Sequence, residues 1–439
     1  MMLRRYTLLL LLLATGIAAQ AQTVFSSLED LWKYADDHNI NIKAAKYEVD
    51  KTVYTKKQSY LAFLPQASAS ASFTDNTSLQ TTLIPATIFG GPEGQYQPVQ
   101  FGQKYIYAGG FTAQMDLVNL QTWFNVRIAK ETEALNEASL SNTKKITYSQ
   151  IAGQYYSYLL NKEAARVAEL SASVADSVYQ SVNNKFNEGT LSKQNVDVAQ
   201  LNKERAEQTQ ITAGYQMRTS LNTLKGMLDL SVKDSIIVEG ALQSNLSIEK
   251  NTPFAEDPSV RLAGYQAQLN LASYRAANAN YLPTLSLIYN NTTQQNDNKY
   301  EPFESGGPKW YPASYWSLRA SWTIFNGGLR WAQAGRNKLS YYEARSQYES
   351  SQKQSAINDE NIRLSYQKAA ASFTKAQDIM RLSFDNYQHV SDRYKNGIGA
   401  IDDRLSAFRD YLDYQNQYLN SLSDMLVQLY QVKIRQRSF

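Results

Sequence analysis

Twice in this chain a helical pattern stops at a Leu-Pro step and gives way to a two-residue alternation. The first instance is Tyr60-Leu61-Ala62-Phe63-Leu64-Pro65 and the second is Asn278-Ala279-Asn280-Tyr281-Leu282-Pro283. Proline denies the preceding residue the α region, so Pro65 and Pro283 each mark a helix–strand junction. A second landmark follows in each half: Phe186-Asn187-Glu188-Gly189 reappears as Tyr394-Lys395-Asn396-Gly397, after which Ala199 falls opposite Ala407 without a gap. An internal period of roughly 220 residues means a duplicated unit.

The pattern assigns residues 22–229 to the first repeat and 258–439 to the second, with an irregular segment at 230–257 between them. In the first repeat Ser27 precedes Leu28-Glu29-Asp30-Leu31, a helix start, and the helical pattern runs to about Leu64. A strand is expected at about 66–78. Ala67, Ala69, Ala71 and Phe73 share one face, opposite Ser68, Ser70, Ser72 and Thr74. Residues 79–100, with Pro85, Gly90-Gly91-Pro92, Gly94 and Pro98, read as a long loop. A second strand (104–118) and a long helix pair (120–228) broken at Gly189 complete the unit. The second repeat has the same order: helix, strand (284–294), a loop with Pro302, Gly306-Gly307-Pro308 and Pro312, strand (314–325), and a long helix pair (328–436) turned at Gly397 and Gly399. In its last strand Trp316, Leu318, Ala320, Trp322 and Ile324 alternate with Ser317, Arg319, Ser321 and Thr323. A helix of about 60 residues is on the order of 90 Å long, which implies a coiled-coil-like or tubular setting.

Residues 1–21 read as a secretory signal peptide: Arg4 and Arg5, an apolar run from Leu8 to Leu13, and Ala19-Gln20-Ala21 at the cleavage point. Its removal lowers the formal charge from +4 to +2, and nothing in the pattern argues for nucleic acid. The chain has no cysteine, hence no disulfide framework and no thiol for a lipid anchor. No stretch of later sequence is apolar enough for a transmembrane helix. The 31 tyrosines suit surfaces that meet both lipid and water, and equally suit helices packing on one another.

Strands of about ten residues, apolar on one face and polar on the other, have the length to cross a bilayer at the tilt of a β-barrel. Four strands cannot close a barrel, and an open edge in hydrocarbon leaves unpaired backbone groups. Chains must therefore pool their strands: two would give eight, three would give twelve.

At this point the chain resembles the TolC family of outer-membrane efflux proteins, over roughly residues 26–436. The pieces that carry the resemblance are Leu64-Pro65, Leu282-Pro283, Trp322-Thr323-Ile324-Phe325-Asn326-Gly327-Gly328 and Tyr394-Lys395-Asn396-Gly397, in that order and spacing. The resemblance implies a mixed α/β membrane protein: a homotrimer with a twelve-stranded barrel in the outer membrane of a Gram-negative cell, continued by a long α-helical barrel into the periplasm. It also implies an exit duct in a tripartite system with a periplasmic adaptor (a membrane fusion protein) and an inner-membrane transporter of the RND or ABC type. Cofactors and enzymatic activity are not expected: zinc-protease, phosphate-loop and nucleophile-elbow motifs are missing. The histidines, His38 and His389, fall in amphipathic helical contexts as surface residues.

By the same resemblance, the turn between the last two long helices narrows the periplasmic entrance with a ring of aspartates. The first ring position falls on Asp403, with Asp402 beside it, and the position one turn on is Ser406. Three copies of one carboxylate around an axis would concentrate cations and repel anions. The alternative role of both aspartates is to complement the N-terminal dipole of the last helix. Tyr394 matches the family's gate tyrosine, but where relatives hold the entrance with an arginine–aspartate link this chain has Gly399 and Asn195. Gly189 and Gly397 are expected at adaptor-facing tips, or simply as helix C-caps. The competing readings are a stand-alone diffusion porin, which would carry short periplasmic turns, and a soluble coiled-coil scaffold.

Overall fold

Both Leu-Pro steps end a helix and open a strand in a computed structural model that describes residues 23–240, 242, 253–300 and 309–439. The expected signal peptide (1–21), Pro302, Gly306, Gly307 and Pro308 lie outside the described residues. Before Pro65 the helix Ile40–Leu61 unwinds through Phe63 N–H to Tyr60 O (3.2 Å) and Leu64 N–H to Leu61 O (3.0 Å). Before Pro283 the helix Pro258–Ala279 unwinds through the equivalent bonds, Tyr281 to Asn278 (3.1 Å) and Leu282 to Ala279 (3.1 Å). Proline thus imposes the same exit geometry on two different sequences.

In chain order the elements are β1 (Thr23–Phe25), α1 (Leu28–His38), α2 (Ile40–Leu61), β2 (Gln66–Asp75), β3 (Thr81–Pro85), β4 (Tyr96–Gln100), β5 (Tyr105–Val118), α3 (Leu120–Asn187) and α4 (Lys193–Met227). They continue as β6 (Ile236–Val238), α5 (Pro258–Ala279), β7 (Thr284–Asp297), β8 (Tyr311–Ser321), α6 (Leu329–Lys395) and α7 (Ile401–Gln436). Contacts divide the chain into two units. One holds Asp50–Leu135 and Gly264–Ser346; the other holds the described parts of Met1–Val49, Asn136–Ala263 and Gln347–Phe439.

The first of these contains an antiparallel sheet in the order β2-β5-β7-β8. Its register stacks Ala69 beside Phe111 and Asn291, and Tyr289 beside Ala113 and Trp316, so one face carries Phe73, Phe111, Leu287, Tyr289, Trp316 and Leu318. The opposite face carries serines, Gln114, Thr112, Asn290 and Arg319. Cross-strand contacts hold each face: Tyr289 meets Trp316 at 4.6 Å between ring centroids, while Asn290 Nδ2 donates to Thr112 Oγ1 at 3.0 Å. A Cβ at Gly110 would lie 2.3 Å from the Asn291 carbonyl oxygen, so β5 and β7 approach closely enough only because that residue is glycine. Among the described residues strands β2 and β8 have no partner on their outer edges.

Three expectations need correction in this unit. The long loop at 79–100 contains a second, two-stranded ribbon, β3–β4, closed by a 3-10 turn at Ala86–Phe89 with Gly90 at φ 77°. Pro85 and Pro98 are tolerated there because a two-stranded ribbon has a free edge on each side. The last strand ends at Ser321 rather than 325, because its partner β7 begins at Thr284, opposite Ser321, and offers no ladder beyond it. The strand expected at 66–78 ends at Asp75, where Asn76 turns the chain by bonding to the Lys104 carbonyl (2.8 Å) and, through its side chain, to the Gln103 carbonyl (2.9 Å).

The other unit is helical. Its core gathers Leu28, Leu31 and Trp32 of α1 with Ile151, Tyr155 and Tyr156 of α3, Leu224 of α4, and Leu426, Leu429 and Tyr430 of α7. Trp32 stacks on Tyr148 at 5.0 Å and donates its indole N–H to the Tyr148 carbonyl at 3.0 Å. Fully burying a leucine of this kind is worth about 1.5–3 kcal/mol. The first helix is two helices, not one. Asn39 ends α1, sends its side-chain amide to the Met227 carbonyl (2.8 Å), and accepts from Asn41 and Ile42 to start α2. The segment 230–257 is not wholly irregular either: β6 pairs in parallel with β1, Val24 opposite Ile237.

A buried charge cluster ties four parts of this unit together. Arg435 of α7, 5% exposed, makes a bidentate pair with Asp359 of α6 (2.6 and 3.0 Å) and lies 3.5 Å from Asp257. Asp257 caps α5 through Ser259 N–H (2.9 Å) and pairs with Lys145 of α3 at 2.6 Å. Burial pushes the Asp257 carboxyl up, but the Lys145 ammonium and Ser259 outweigh it and hold it below the usual carboxylate range.

Candidate functional site: the helical turns

The two turns between long helices are built alike. At the first, Thr190 N–H reaches back to the Lys185 carbonyl (2.9 Å) with Gly189 at φ 75°. At the second, Ile398 N–H reaches the Arg393 carbonyl (2.9 Å) with Gly397 at φ 73°. This six-to-one bond around a left-handed glycine satisfies the last helix carbonyls, so both glycines are C-caps in the Schellman arrangement. Gly399 is closely packed: a Cβ there would sit 3.1 Å from the Tyr394 amide nitrogen.

Tyr394 is the meeting point of the two turns. Lys185 Nζ, at the end of α3, donates to the Tyr394 hydroxyl at 2.9 Å and lies 4.9 Å from its ring centroid. The Arg404 guanidinium of α7 lies 5.4 Å from the same ring. Three helices therefore converge on one phenol by a hydrogen bond and two cation–π contacts. Behind it a small apolar cluster of Val178, Val182, Val196 and Ala199 packs with Leu191, Ile401 and Leu405.

The other residues singled out from sequence behave differently. Among the described residues the Asn195 side chain bonds only within its own helix start. It forms a capping box with Ser192, accepting from the Ser192 amide (3.2 Å) and hydroxyl (2.7 Å). The reason is local: an unsatisfied N-terminal turn offers near donors within the same helix. Asp402 and Asp403 lie in the first turn of α7, exposed, where Ala400 supplies no side-chain cap. Among the described residues neither carboxylate meets a cation or a hydrogen-bond donor within the chain. They favour the helix dipole and remain free to face other groups. Ser406, one turn on, is also exposed.

His38 stacks on Tyr34 at 3.9 Å in the last turn of α1, and His389 is exposed on α6. Among the described residues no group of three His, Cys, Asp or Glu side chains is arranged to hold a metal ion. Lys185 was missed in the sequence reading. Its signal was present: a basic residue stands immediately before the aromatic in both copies of the turn, Lys185-Phe186 and Arg393-Tyr394.

Comparison with known proteins places this architecture. The fold matches the outer-membrane protein VceC of Vibrio cholerae with a TM-score of 0.74 at 15% identity, over 94% of this chain and 96% of that one. It matches the open state of the MtrE outer-membrane channel of Neisseria gonorrhoeae with 0.74 at 18% identity, over 93% and 88%. It matches the CmeC outer-membrane channel of Campylobacter jejuni with 0.66 at 17%, over 93% and 85%. No curated protein sequence is matched by this chain. The description "Outer membrane efflux protein" matches residues 31–229 and 254–433, one segment for each repeat. The chain belongs to the outer membrane efflux protein family.

Proposed function

We propose that the chain is the outer-membrane exit duct of a tripartite efflux or secretion system. Three copies pool their four strands into a twelve-stranded barrel, and their long helices continue it as a periplasmic tunnel. The observation that carries this reading is the four-stranded sheet with two unpaired edges, β2 and β8, on a chain whose helices reach 68 and 67 residues. A sheet apolar on one face and polar on the other suits lipid outside and water inside only if those edges are closed by other copies. Substrate would pass passively, delivered by a periplasmic adaptor and an inner-membrane transporter that supplies the energy.

The entrance lies at the helical turns in this reading. Asp402, Asp403 and Ser406 from three chains form the constriction, and Gly189 and Gly397 mark the tips that face the adaptor. Lys185, Tyr394 and Arg404 replace the arginine–aspartate latch with a phenol contacted by two cations. In planar-bilayer recordings the reconstituted protein is expected to conduct weakly and to be blocked from the helical side by multivalent cations. Asp403→Ala should weaken that block; unchanged block removes Asp403 from the constriction.

A further inference from the structure

All four junctions between helices and the main sheet lie at the same end of that sheet, and each exposes large apolar side chains. At α2–β2 these are Leu61 and Leu64; at β5–α3, Val118 and Trp123; at α5–β7, Tyr281 and Leu282. At β8–α6 the ladder has ended, yet the alternation runs on into solvent, with Ile324 82%, Phe325 83% and Trp331 78% exposed. Trp322 and Ile324 continue the Trp316–Leu318–Ala320 alternation of β8 beyond its ladder.

The charges next to this belt are mostly basic, with Asp116 near the end of β5 the acidic exception. Residues 51–64, 117–130, 264–283 and 322–342 contain nine lysines and arginines and no aspartate or glutamate. Two of the nine find carboxylates on α3, Lys56 of α2 with Glu133 and Arg127 of α3 with Glu131. Lys57, Lys130, Arg275, Arg330, Arg336 and Lys338 have no carboxylate partner among the described residues. The opposite end of the sheet is mixed, with Asp75 and Asp297 beside Lys104 and Lys299.

Heights along the helices match a headgroup layer. Lys57 and Arg275 each stand four residues before a helix end, and Arg330 is in the first turn of α6, so all three lie within about 6 Å of the junctions at 1.5 Å per residue. The polar zone on each side of a bilayer is about 5–7 Å deep. Lys130, Arg336 and Lys338 lie about 10–15 Å out, within side-chain reach plus a Debye length of about 8 Å. The Arg330 guanidinium also donates to the Thr323 carbonyl, which holds it against the segment carrying Ile324 and Phe325.

We propose that this basic collar binds the phosphates of anionic phospholipids in the leaflet on the helix side, with the apolar belt seated at the acyl boundary. The proposal rests on the membrane reading of the sheet. Each collar cation contributes roughly a fivefold preference for anionic over zwitterionic lipid.

The test uses the detergent-extracted oligomer exchanged into mixed micelles of phosphatidylglycerol and phosphatidylethanolamine, with retained lipids counted by native mass spectrometry. The wild type should retain phosphatidylglycerol preferentially. Lys57→Gln/Arg336→Gln/Lys338→Gln should lower that preference at least tenfold, while the equal charge change Lys353→Gln/Lys368→Gln/Lys375→Gln far along α6 should not. Equal preference in the collar variant and wild type overturns the proposal, as does full competition by inorganic phosphate, which would mean simple anion binding. Heat-sensitive oligomer migration is read in parallel. If the wild type does not form a membrane-inserted oligomer, the barrel reading has failed first and the collar fails with it.

Discussion

Replacing Arg435 by methionine probes the cluster that joins α3, α5, α6 and α7. The substitution keeps much of the aliphatic volume of a 5% exposed side chain and removes its bidentate bond to Asp359, its contact with Asp257 and its bond to the Ala255 carbonyl. Breaking a buried ion pair by deleting one partner costs about 3–5 kcal/mol when the other charge is stranded. Here the stranding is partial. Asp257 keeps Lys145 at 2.6 Å and two bonds from Ser259, and the Asp359 side chain is 22% exposed and can recruit water. The expected loss is therefore at the low end, about 3 kcal/mol, or roughly 3–5 °C in the melting of the helical circular-dichroism signal. Lys433→Met is the control, since that side chain only overlies the Tyr430 ring at 4.8 Å and should cost under about 1 kcal/mol. The Asp257 carboxyl is held low in the folded chain, so its stabilisation is present above about pH 4 and is lost as pH falls through the folded value. Lys145→Met should accordingly destabilise at pH 7 and converge on wild type in acid. Equal melting of Arg435→Met and Lys433→Met at pH 7 would refute the cluster's structural role.

Tyr394→Phe removes the acceptor for Lys185 but keeps the ring under both cations, and should raise the open-to-closed ratio in bilayer recordings up to about tenfold; an unchanged ratio dismisses the latch. Gly110→Ala should weaken the β5–β7 pairing by about 1–3 kcal/mol, seen as oligomers that dissociate at lower temperature, whereas Gly109→Ala, with its nearest atom at 3.9 Å, should not. Burial, with smaller help from Tyr430 and Glu29, pushes the Tyr155 phenol up to about 12, so its contribution is present below pH 10 and lost as pH rises through that value. Phenolate absorbance of the folded protein should show a late-titrating class that merges near pH 10 in denaturant; a single class near 10 in both states contradicts the packed tyrosine core.

What could be read from sequence was what repeats at short period. The alternation from Ala67 to Phe73 and from Trp316 to Ala320 fixes the sheet faces because a pleated strand has period two. Prolines and glycines placed the junctions and tips because their backbone limits are local. The β3–β4 ribbon was hidden by the same residues, since Pro85, Gly94 and Pro98 look like loop until a partner strand is known. The end of β8 could not be seen, because Trp322 and Ile324 keep the alternation and only the start of β7 stops the ladder. Long-range side-chain partners were out of reach for a similar reason. Lys185 meets Tyr394 from another repeat, and Arg435 meets Asp359 and Asp257 from other elements, so nothing in either local pattern names the partner.

The central claim is that edge strand β8 of one chain pairs with edge strand β2 of the next until three chains close. The natural sequence contains no cysteine, so introduced thiols report without background. Pairs such as Ser70→Cys on β2 with Ser317→Cys on β8, scanned along the two edges and oxidised in the membrane, should give covalent dimers and a trimer as the limit, while either single variant should give no ladder. Links formed only within one chain, or a series that runs past three, would contradict the account.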